Sequence, residues 1–300
     1  MEEIEYKRPQ LEDQEIISSY FRKYPSRSCD RTFANVFLWA RYYNVEYALV
    51  DNVLIFHNRG GEKCAFAYPV GAPEDVRGWV QKLFDNCQDA MEKFRLYSVT
   101  REQFAQLEEW FPGKFQIEYD EDIADYVYET EKLTKLAGKK LHGKRNHINK
   151  FKETYDDWAY EKITDENYEE CFQMALKWRK QHELEDDQDM VNEIAVTQNS
   201  LMFMKELELT GGLLRVNGEI AAFTIGEPIN DDTFVVHIEK AFPDIQGAYP
   251  MINQQFVIHE CQAYQYINRE EDTGAPGLRR AKQSYRPAFM VEKGTVTLKR

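Results

Sequence analysis

Cysteine is scarce in this sequence, and its arrangement argues against two common scaffolds. The five cysteines are odd in number, widely scattered and include no Cys-x-x-Cys pair. Disulfide frameworks and structural zinc sites use paired or closely spaced cysteines, so the pattern predicts neither. We expect all five to be reduced, buried side chains, and we expect no bound metal.

Long apolar runs are also absent. No stretch reaches the roughly 18 consecutive apolar residues typical of a membrane-spanning helix. The acidic start MEEIEYKRPQ lacks the basic and apolar regions of a signal peptide. We therefore expect a soluble, cytoplasmic protein with no integral membrane segment. A hydrophobic content of 43% over 300 residues allows a sizeable core, and the length favours two domains.

The charge is mostly of one sign, with one local exception. A net charge of −14 opposes nonspecific attraction to nucleic acid or anionic lipid. Every charged side chain in residues 118–131 is acidic, whereas every one in residues 132–152 is basic. The basic segment is interpreted either as a solvated connector whose charges pair with the acidic segment, or as a phosphate or RNA contact. In the second interpretation Lys144 and Arg145, a pair near the start of a helix, bind the phosphates of a polyanion.

The predicted order of helices and strands occurs twice. In each half two helices are followed by a hairpin and then by strand, helix, strand, helix and strand. The hairpins are signalled by Asp51-Asn52 and Asn217-Gly218, and Asn-Gly is the strongest two-residue turn dipeptide. This order predicts an α/β (α+β) fold with mixed sheets in two similar domains, residues 1–135 and 136–300.

The second half contains a strand, TFVVHIEKA, that runs through a glycine turn into a helix. Such a turn leaves backbone N–H groups able to hold a phosphate or carboxylate. This arrangement favours group transfer from a phosphate-bearing donor. The candidate donor-binding residues are Gln246, Gly247, Ala248 and Tyr249. The alternative is an ordinary helix start in which Pro250 fixes the first turn.

Glu239 is the first acidic candidate for catalysis. It lies two positions after His237 in the same predicted strand, so both side chains project to one face. The two could relay a proton, or they could form a partly buried pair without a catalytic role.

A second acidic group follows the strand YQYIN and consists of Glu270, Glu271 and Asp272. Sites in such sheets often lie at this end of a strand. Glu271 or Asp272 could capture a substrate ammonium group. The alternatives are a structural salt-bridge cluster and a metal site.

The helix after this acidic group carries Arg279, Arg280 and Lys282, which could neutralise it. Arg279 and Lys282, three residues apart, can share a face that holds phosphate, while Arg280 points elsewhere. Tyr285 lies where the chain leaves this helix. In a group-transfer reaction its phenol is a candidate to donate a proton to the leaving group.

Three segments, GKKLHGKRNHINKF, IEKAFPDIQGAYPMINQQF and YINREEDTGAPGLRRAKQSYRP, resemble the phosphatidylglycerol lysyltransferase C-terminal family, which is related to Fem-type transferases. The resemblance covers most of the chain and is strongest from Lys139 to Pro287. It implies two tandem GNAT-like acyltransferase domains. It also implies transfer of an aminoacyl group from a charged tRNA to an amine or hydroxyl of a lipid headgroup. The lipid-modifying members carry an integral-membrane domain ahead of this unit.

The implied partners are aminoacyl-tRNA or another phosphate-bearing acyl donor, and a small-molecule or lipid-headgroup acceptor. Acyl-CoA is a possible donor, and no other cofactor is expected. In GNAT-like domains the acyl-CoA loop separates its Gln or Arg from its glycines, whereas here Gly247 directly follows Gln246. The turn therefore matches the CoA-binding pattern only in part.

Three classes of function remain open at this point. The leading one is an aminoacyl or acyl transferase with its active site in the second domain. The others are an acetyl-CoA-dependent N-acetyltransferase of a small amine and a non-enzymatic binding module. We expect the first domain to be non-catalytic, because PVGAPED occupies its donor turn. There Pro69 and Pro73 lack N–H donors, and Glu74 and Asp75 oppose phosphate.

Overall fold

The computed structural model describes residues 4–59, 64–87, 90–181 and 188–299. The chain forms two compact units. The first comprises Met1–Asp125, Glu271–Ala275 and Met290–Arg300, and the second comprises Tyr126–Glu270 and Pro276–Phe289. The change of unit after Asp125 precedes the boundary predicted after residue 135. It lies within one continuous strand, Phe115–Glu129.

The first unit alternates helices with strands. Its helices are α1 (Gln14–Lys23), α2 (Phe33–Ala40), α3 (Pro73–Asp85), α4 (Ala90–Lys93) and α5 (Arg101–Trp110). Its strands are β1 (Val45–Val50), β2 (Val53–Asn58), β3 (Ala65–Ala67), β4 (Arg95–Thr100), the first part of β5 (Phe115–Glu129) and nearly all of β11 (Phe289–Leu298).

The sheet of the first unit has the order β1, β2, β3, β4, β11, β5. The hairpin predicted at Asp51-Asn52 is confirmed, because β1 and β2 pair antiparallel and both turn residues have positive φ. Strands β3 and β4 are parallel, whereas β11 runs antiparallel to β4. Helices α3 and α5 contribute apolar side chains such as Trp79, Leu83 and Leu107 to a buried core against this sheet.

The expectation that every cysteine is reduced is wrong for one pair. Cys64 and Cys87 form a disulfide, while Cys29, Cys171 and Cys261 are buried thiols. The two bonded cysteines are 23 residues apart and flank α3, so their spacing carries no motif that marks a pair. The fold brings them together, with their α-carbons 5.6 Å apart.

The second unit repeats the predicted order of elements. Its helices are α6 (Thr130–Lys135), α7 (His142–Thr154), α8 (Tyr168–Gln181), α9 (Gln188–Met202), α10 (Ala248–Glu260) and α11 (Pro276–Gln283). Its strands are β6 (Trp158–Lys162), β7 (Thr210–Val216), β8 (Glu219–Pro228), β9 (Thr233–Ala241) and β10 (Tyr266–Asn268), together with the end of β5.

The sheet of the second unit has the order β5, β10, β9, β8, β7, β6. Strands β6 to β9 pair antiparallel, and the Asn217-Gly218 hairpin between β7 and β8 is confirmed. Helix α10 connects β9 to β10, which lie parallel. The predicted α/β class with mixed sheets is therefore confirmed. Each unit has the helix–helix–hairpin–strand–helix–strand order predicted for a GNAT-like domain.

The basic segment 132–152 folds into the end of α6, a 3-10 helix at Lys139–Leu141, and α7. Helix α7 packs against α10. Across the described residues, none of the helices combines the length and the apolar character needed to span a membrane.

Close packing between β8 and β9 yields a stability prediction at Gly226. A Cβ atom at this position would lie 2.0 Å from the carbonyl oxygen of Val235 in the neighbouring strand. We expect Gly226→Ala to lower the free energy of unfolding by about 1–3 kcal/mol, since the backbone must shift to relieve the overlap. Chemical denaturation monitored by circular dichroism measures this change.

Gly143→Ala is the matched control. Gly143 lies in α7 of the same unit, and a Cβ atom there would have no neighbour within 4 Å. Because alanine favours helix more than glycine does, this variant should match or exceed the wild-type stability. Equal stability of the two variants would contradict the packing argument.

Candidate functional site

Glu239 lies at the centre of a buried polar cluster in the second unit. Its Oε1 accepts a hydrogen bond of 2.8 Å from Nη2 of Arg269, and its Oε2 accepts one of 3.1 Å from Nδ2 of Asn253. The Glu239 and Arg269 side chains are only 12% and 11% exposed. Strand β9, the segment after β10 and helix α10 supply these three residues. The carboxylate is thus fixed through both of its oxygens.

Both partners of Glu239 keep a second polar atom without a partner. Nη1 of Arg269 and Oδ1 of Asn253 are buried and make no hydrogen bond in the described part of the chain. A buried donor or acceptor left unpaired costs about 1–3 kcal/mol, so native proteins rarely keep one without a reason. The cluster therefore offers one donor and one acceptor to a ligand.

Tyr285 and Lys144 lie beside this cluster. The guanidinium carbon of Arg269 is 4.9 Å from the centre of the Tyr285 ring, and Nζ of Lys144 is 4.1 Å from the same centre. Burial raises the pKa of Tyr285, and Arg269 opposes that rise, so the phenol keeps its proton at neutral pH. Burial, reinforced by the charge of Arg269, lowers the pKa of Lys144 to about 8. Both residues were predicted from sequence, Tyr285 as an acid and Lys144 as a phosphate contact.

Lys282, predicted from the sequence as a phosphate contact, bonds to the backbone beside the cluster. Its Nζ donates to the backbone carbonyls of Arg269 at 2.6 Å and Glu270 at 3.2 Å. The backbone carbonyl of Lys282 in turn accepts a 2.7 Å hydrogen bond from the Tyr128 hydroxyl. These bonds hold the segment after β10 in place, and with it Arg269.

His237 does not pair with Glu239, and this geometry does not provide the proposed His237–Glu239 relay. Its Nδ1 lies 2.7 Å from Glu270 Oε1, and its Nε2 lies 2.9 Å from Glu227 Oε1. Burial by itself lowers the pKa of His237, but the hydrogen bonds to both carboxylates outweigh burial and raise it to about 10. His237 is therefore an imidazolium held between two carboxylates at neutral pH.

The predicted donor turn, Gln246 to Tyr249, is covered by α7. Gly247 has φ +84°, and a Cβ atom there would lie 2.5 Å from the carbonyl oxygen of His147. The N–H of Ala248 already donates to Ile245, and the Tyr249 hydroxyl accepts from Nε1 of Trp178 at 3.0 Å. Gln246 is exposed beside this packed turn. These contacts favour the alternative of an ordinary helix start.

A basic cleft lies elsewhere in the second unit. Its volume is about 800 Å³, and its charged lining residues are Lys132, Lys139, Lys140 and Arg286. Arg145 does not line it; its Nη1 donates to the carbonyls of Leu136 and of Gly138, the latter at 2.8 Å. Arg145 thus holds the loop that forms one wall of the cleft.

The segment 283–286 joins the basic cleft to the Glu239 cluster. Gln283 and Arg286 line the cleft, whereas Tyr285 between them belongs to the cluster. On α11 itself, Arg280 is exposed and Arg279 is partly buried, and neither lines the cleft.

Glu271 and Asp272 belong to the first unit, whereas Glu239 and its partners belong to the second. Asp272 is fully buried, and its Oδ1 accepts a 3.0 Å hydrogen bond from the Gly274 backbone, which stabilises the local turn. Glu271 Oε2 lies 3.4 Å from the Cys29 sulfur and 4.0 Å from Lys293 Nζ. These contacts favour the alternative of a structural salt-bridge cluster.

Cys29, Asp125 and Glu271 place possible metal-ligand atoms within 4.8 Å of one another. Lys293 Nζ occupies the same cluster, 2.8 Å from Asp125 Oδ1. Burial alone lowers the pKa of Lys293, but the charges of Asp125 and Asp30 outweigh burial and raise it well above its ordinary value. The lysine ammonium thus supplies the positive charge that these carboxylates need.

Sequence reasoning missed Arg269 and Asn253, the two partners of Glu239. Arg269 directly follows β10 and precedes the acidic group at residues 270–272. Its position at the end of a strand is the sequence feature that could have identified it. Asn253 lies well inside α10, and its amide is buried. No motif in the surrounding sequence distinguishes it from an exposed asparagine.

The raised pKa of His237 predicts how stability depends on pH. Because the folded-state pKa of about 10 exceeds the unfolded value near 6.5, the stabilisation is complete below pH 6.5 and is lost as the pH rises towards 10. We expect His237→Gln to be less stable than wild type at pH 6. This difference should shrink steadily between pH 6.5 and 10 in denaturant titrations. A difference that stays constant over this range would contradict the imidazolium assignment.

Comparison with known proteins places the chain among relatives. The family model for the C-terminal part of phosphatidylglycerol lysyltransferase matches residues 21–294. An uncharacterised protein of Mycoplasmoides gallisepticum is 26% identical over 264 residues, which is 83% of this chain and 80% of that protein.

The similar solved structures include the following two. A conserved protein of unknown function from Bacteroides thetaiotaomicron is 39% identical, with a TM-score of 0.91, over 99% of this chain and 100% of that one. The C-terminal domain of a putative lysylphosphatidylglycerol synthetase from Agrobacterium fabrum is 14% identical, with a TM-score of 0.65, over 95% and 91% of the two chains. At this identity the second likeness shows the fold. Because the family model covers most of its length, this chain belongs to the phosphatidylglycerol lysyltransferase C-terminal family.

Proposed function

We propose that the second unit transfers an aminoacyl group from a charged tRNA, or a related activated donor, to an amine or hydroxyl acceptor. The observation that carries this proposal is the buried Glu239 cluster, in which Arg269 Nη1 and Asn253 Oδ1 have no partner among the described residues. Membership of an aminoacyl transferase family supports the reaction class. The identities of donor and acceptor are part of the proposal.

The cluster has the groups that acyl transfer requires. Arg269 Nη1 would donate to the ester carbonyl oxygen and stabilise the negative charge that develops there as the acceptor attacks. Asn253 Oδ1 would accept a hydrogen bond from the amino group of the aminoacyl moiety. Glu239 bonds to both residues through its two oxygens. Arg269 Nη1 and Asn253 Oδ1 are therefore held at a fixed separation.

Tyr285 is placed to act on the leaving group. Its raised pKa keeps the phenol protonated, and its ring contacts Arg269. A protonated phenol beside the carbonyl-binding guanidinium would donate a proton to the departing ribose oxygen. Glu271 and Asp272 have no role in this proposal, because they belong to the first unit.

The basic cleft is the proposed contact for the donor's phosphates. Four cationic side chains line it, and the segment 283–286 links it to Tyr285. Lysine and arginine side chains bind phosphates largely through charge. The covered turn at Gly247 disfavours acyl-CoA as the donor, since its backbone is packed against α7.

Direct transfer tests the reaction. The protein is incubated with tRNA charged with radiolabelled amino acids, or with labelled acetyl-CoA, and with small amines, hydroxy compounds or lipid vesicles as acceptors. We expect label to pass from aminoacyl-tRNA to an acceptor. Glu239→Gln should lower this rate by more than about tenfold, since the Arg269 position is no longer fixed by a charged partner.

Controls separate catalysis from folding. Glu166→Gln changes an exposed glutamate of the same unit and should transfer at the wild-type rate. Tyr285→Phe keeps the buried ring and should also slow transfer, which guards against misfolding of the Glu239 variant. Transfer from acetyl-CoA alone would favour the N-acetyltransferase alternative, and binding without any transfer would favour the binding module.

Charge reversal in the cleft tests the donor contact. Lys139→Glu combined with Lys140→Glu should weaken tRNA binding. The slope of log affinity against log salt should fall by about 1 for each phosphate that the variant no longer neutralises. Filter binding or fluorescence anisotropy between low and moderate salt measures this slope.

The matched control reverses two basic residues of α7 outside the cleft, Lys150→Glu with Lys152→Glu, with the same change in net charge. If both double variants bind tRNA equally weakly, overall charge controls binding, and the cleft has no specific role.

A further inference from the structure

Lys144 is a cation beside the Glu239 cluster that has no carboxylate partner among the described residues. Its Nζ lies 4.1 Å from the centre of the Tyr285 ring. It makes no ion pair or hydrogen bond in the part of the chain that the structure describes. Both oxygens of Glu239 are already bonded to Arg269 and Asn253. The amine therefore has bonding capacity left for a ligand at this position.

The charged and titratable groups that act on Lys144, or that contact its neighbours, come from several elements. Strand β9 contributes Glu239, and the segment after β10 contributes Arg269. Strand β5 contributes Tyr128, whose ring lies 5.8 Å from the Arg269 guanidinium.

The helices contribute further groups. Helix α11 carries Lys282 and leads into Tyr285. Helix α10, packed on α7, presents the uncharged amide of Asn253, and α7 itself carries His142, Arg145 and His147.

This environment destabilises the charged form of the Lys144 amine. Lys144 is partly buried, so water compensates its charge poorly. Arg269 adds a like charge, and Glu239 offsets it only in part because its charge is shared with Arg269. The pKa of Lys144 falls to about 8, so a substantial fraction of the side chain is an unprotonated amine in mildly alkaline solution.

We infer that Lys144 is the base that removes the proton from the attacking N–H or O–H of the acceptor. This inference rests on the proposed aminoacyl transfer and replaces the sequence-based role of Lys144 as a phosphate contact. A base needs a lone pair directed at the substrate, and an amine bound to no carboxylate can offer one next to the atoms that hold the ester.

The acceptor in this step is an amine. Its nitrogen forms a bond to the ester carbonyl carbon while its proton passes to Lys144 Nζ. The ester C–O bond breaks, and the leaving ribose oxygen takes the proton of Tyr285. The proton held by Lys144 then restores the phenol, so the products are an amide and the free 3′ end of the tRNA, with both side chains unchanged.

The protonation state of Lys144 can be measured without any donor. Reductive methylation with ¹³C-formaldehyde labels lysines, and the resonance missing from Lys144→Arg assigns this residue. We expect the Lys144 resonance to titrate near pH 8. A lysine in an unperturbed environment titrates at about 10.4, roughly two pH units higher.

Kinetics test the role itself. Lys144→Met and Lys144→Arg should each lower kcat by more than about 100-fold while the donor KM stays close to wild type. The rise of wild-type kcat/KM with pH up to about 8 should be lost in Lys144→Met. Lys150→Met, an exposed change on the same helix, is the control and should behave as wild type.

The outcomes separate the two proposals. Full activity of Lys144→Arg, or a raised KM without loss of kcat in Lys144→Met, would show a charge contact and overturn the base assignment. A titration near pH 10 in an active wild-type protein would overturn it as well. Absence of transfer from every donor would remove the proposed function and this inference together, whatever the titration of Lys144.

Discussion

The second unit is organised around the ion pair between Glu239 and Arg269. Charges removed from water are costly unless each finds a partner with good geometry, and loss of one partner leaves the other buried and uncompensated. Glu239 comes from β9 and Arg269 follows β10, so the pair restricts how the parallel strands and α10 between them can be arranged. Lys282 bonds to two backbone carbonyls beside Arg269, and Tyr128 bonds to Lys282, which extends the same constraint to α11 and β5.

Features set by neighbouring residues were predictable from the sequence. Both hairpins are examples, since Asp51-Asn52 and Asn217-Gly218 adopt the positive φ values that two-residue turns need. The length of β5 was not, because residues 118–122 are mostly exposed acids without the apolar alternation of a half-buried strand. The Cys64–Cys87 disulfide escaped prediction for a related reason: its two halves meet through tertiary packing alone.

In the candidate site, too, single residues could be identified from the sequence, whereas contacts between distant residues could not. Glu239, Tyr285 and Lys144 stood out by residue type and by position at element ends. The partners of Glu239 did not, because Arg269 and Asn253 come from elements distant in sequence. The same holds for His237, which bonds to Glu227 and Glu270 on other elements. The basic segment also divides in three dimensions: Lys139 and Lys140 line the cleft, Arg145 bonds to the backbone, and Lys144 contacts the Tyr285 ring. A run of like charges in sequence thus contains three different physical roles.

The position of β11 has a consequence for biosynthesis. In the first unit this strand lies between β4 and β5, yet it is translated after the whole of α10 and α11. The first 125 residues can therefore form their hairpin and helices on the ribosome, but β4 and β5 have no strand between them until the C-terminal segment emerges. Closing such a distant pairing is slow compared with local folding. During this interval β4 and β5 each keep an unpaired edge where β11 will bind, and an unpaired strand edge can mispair with another chain.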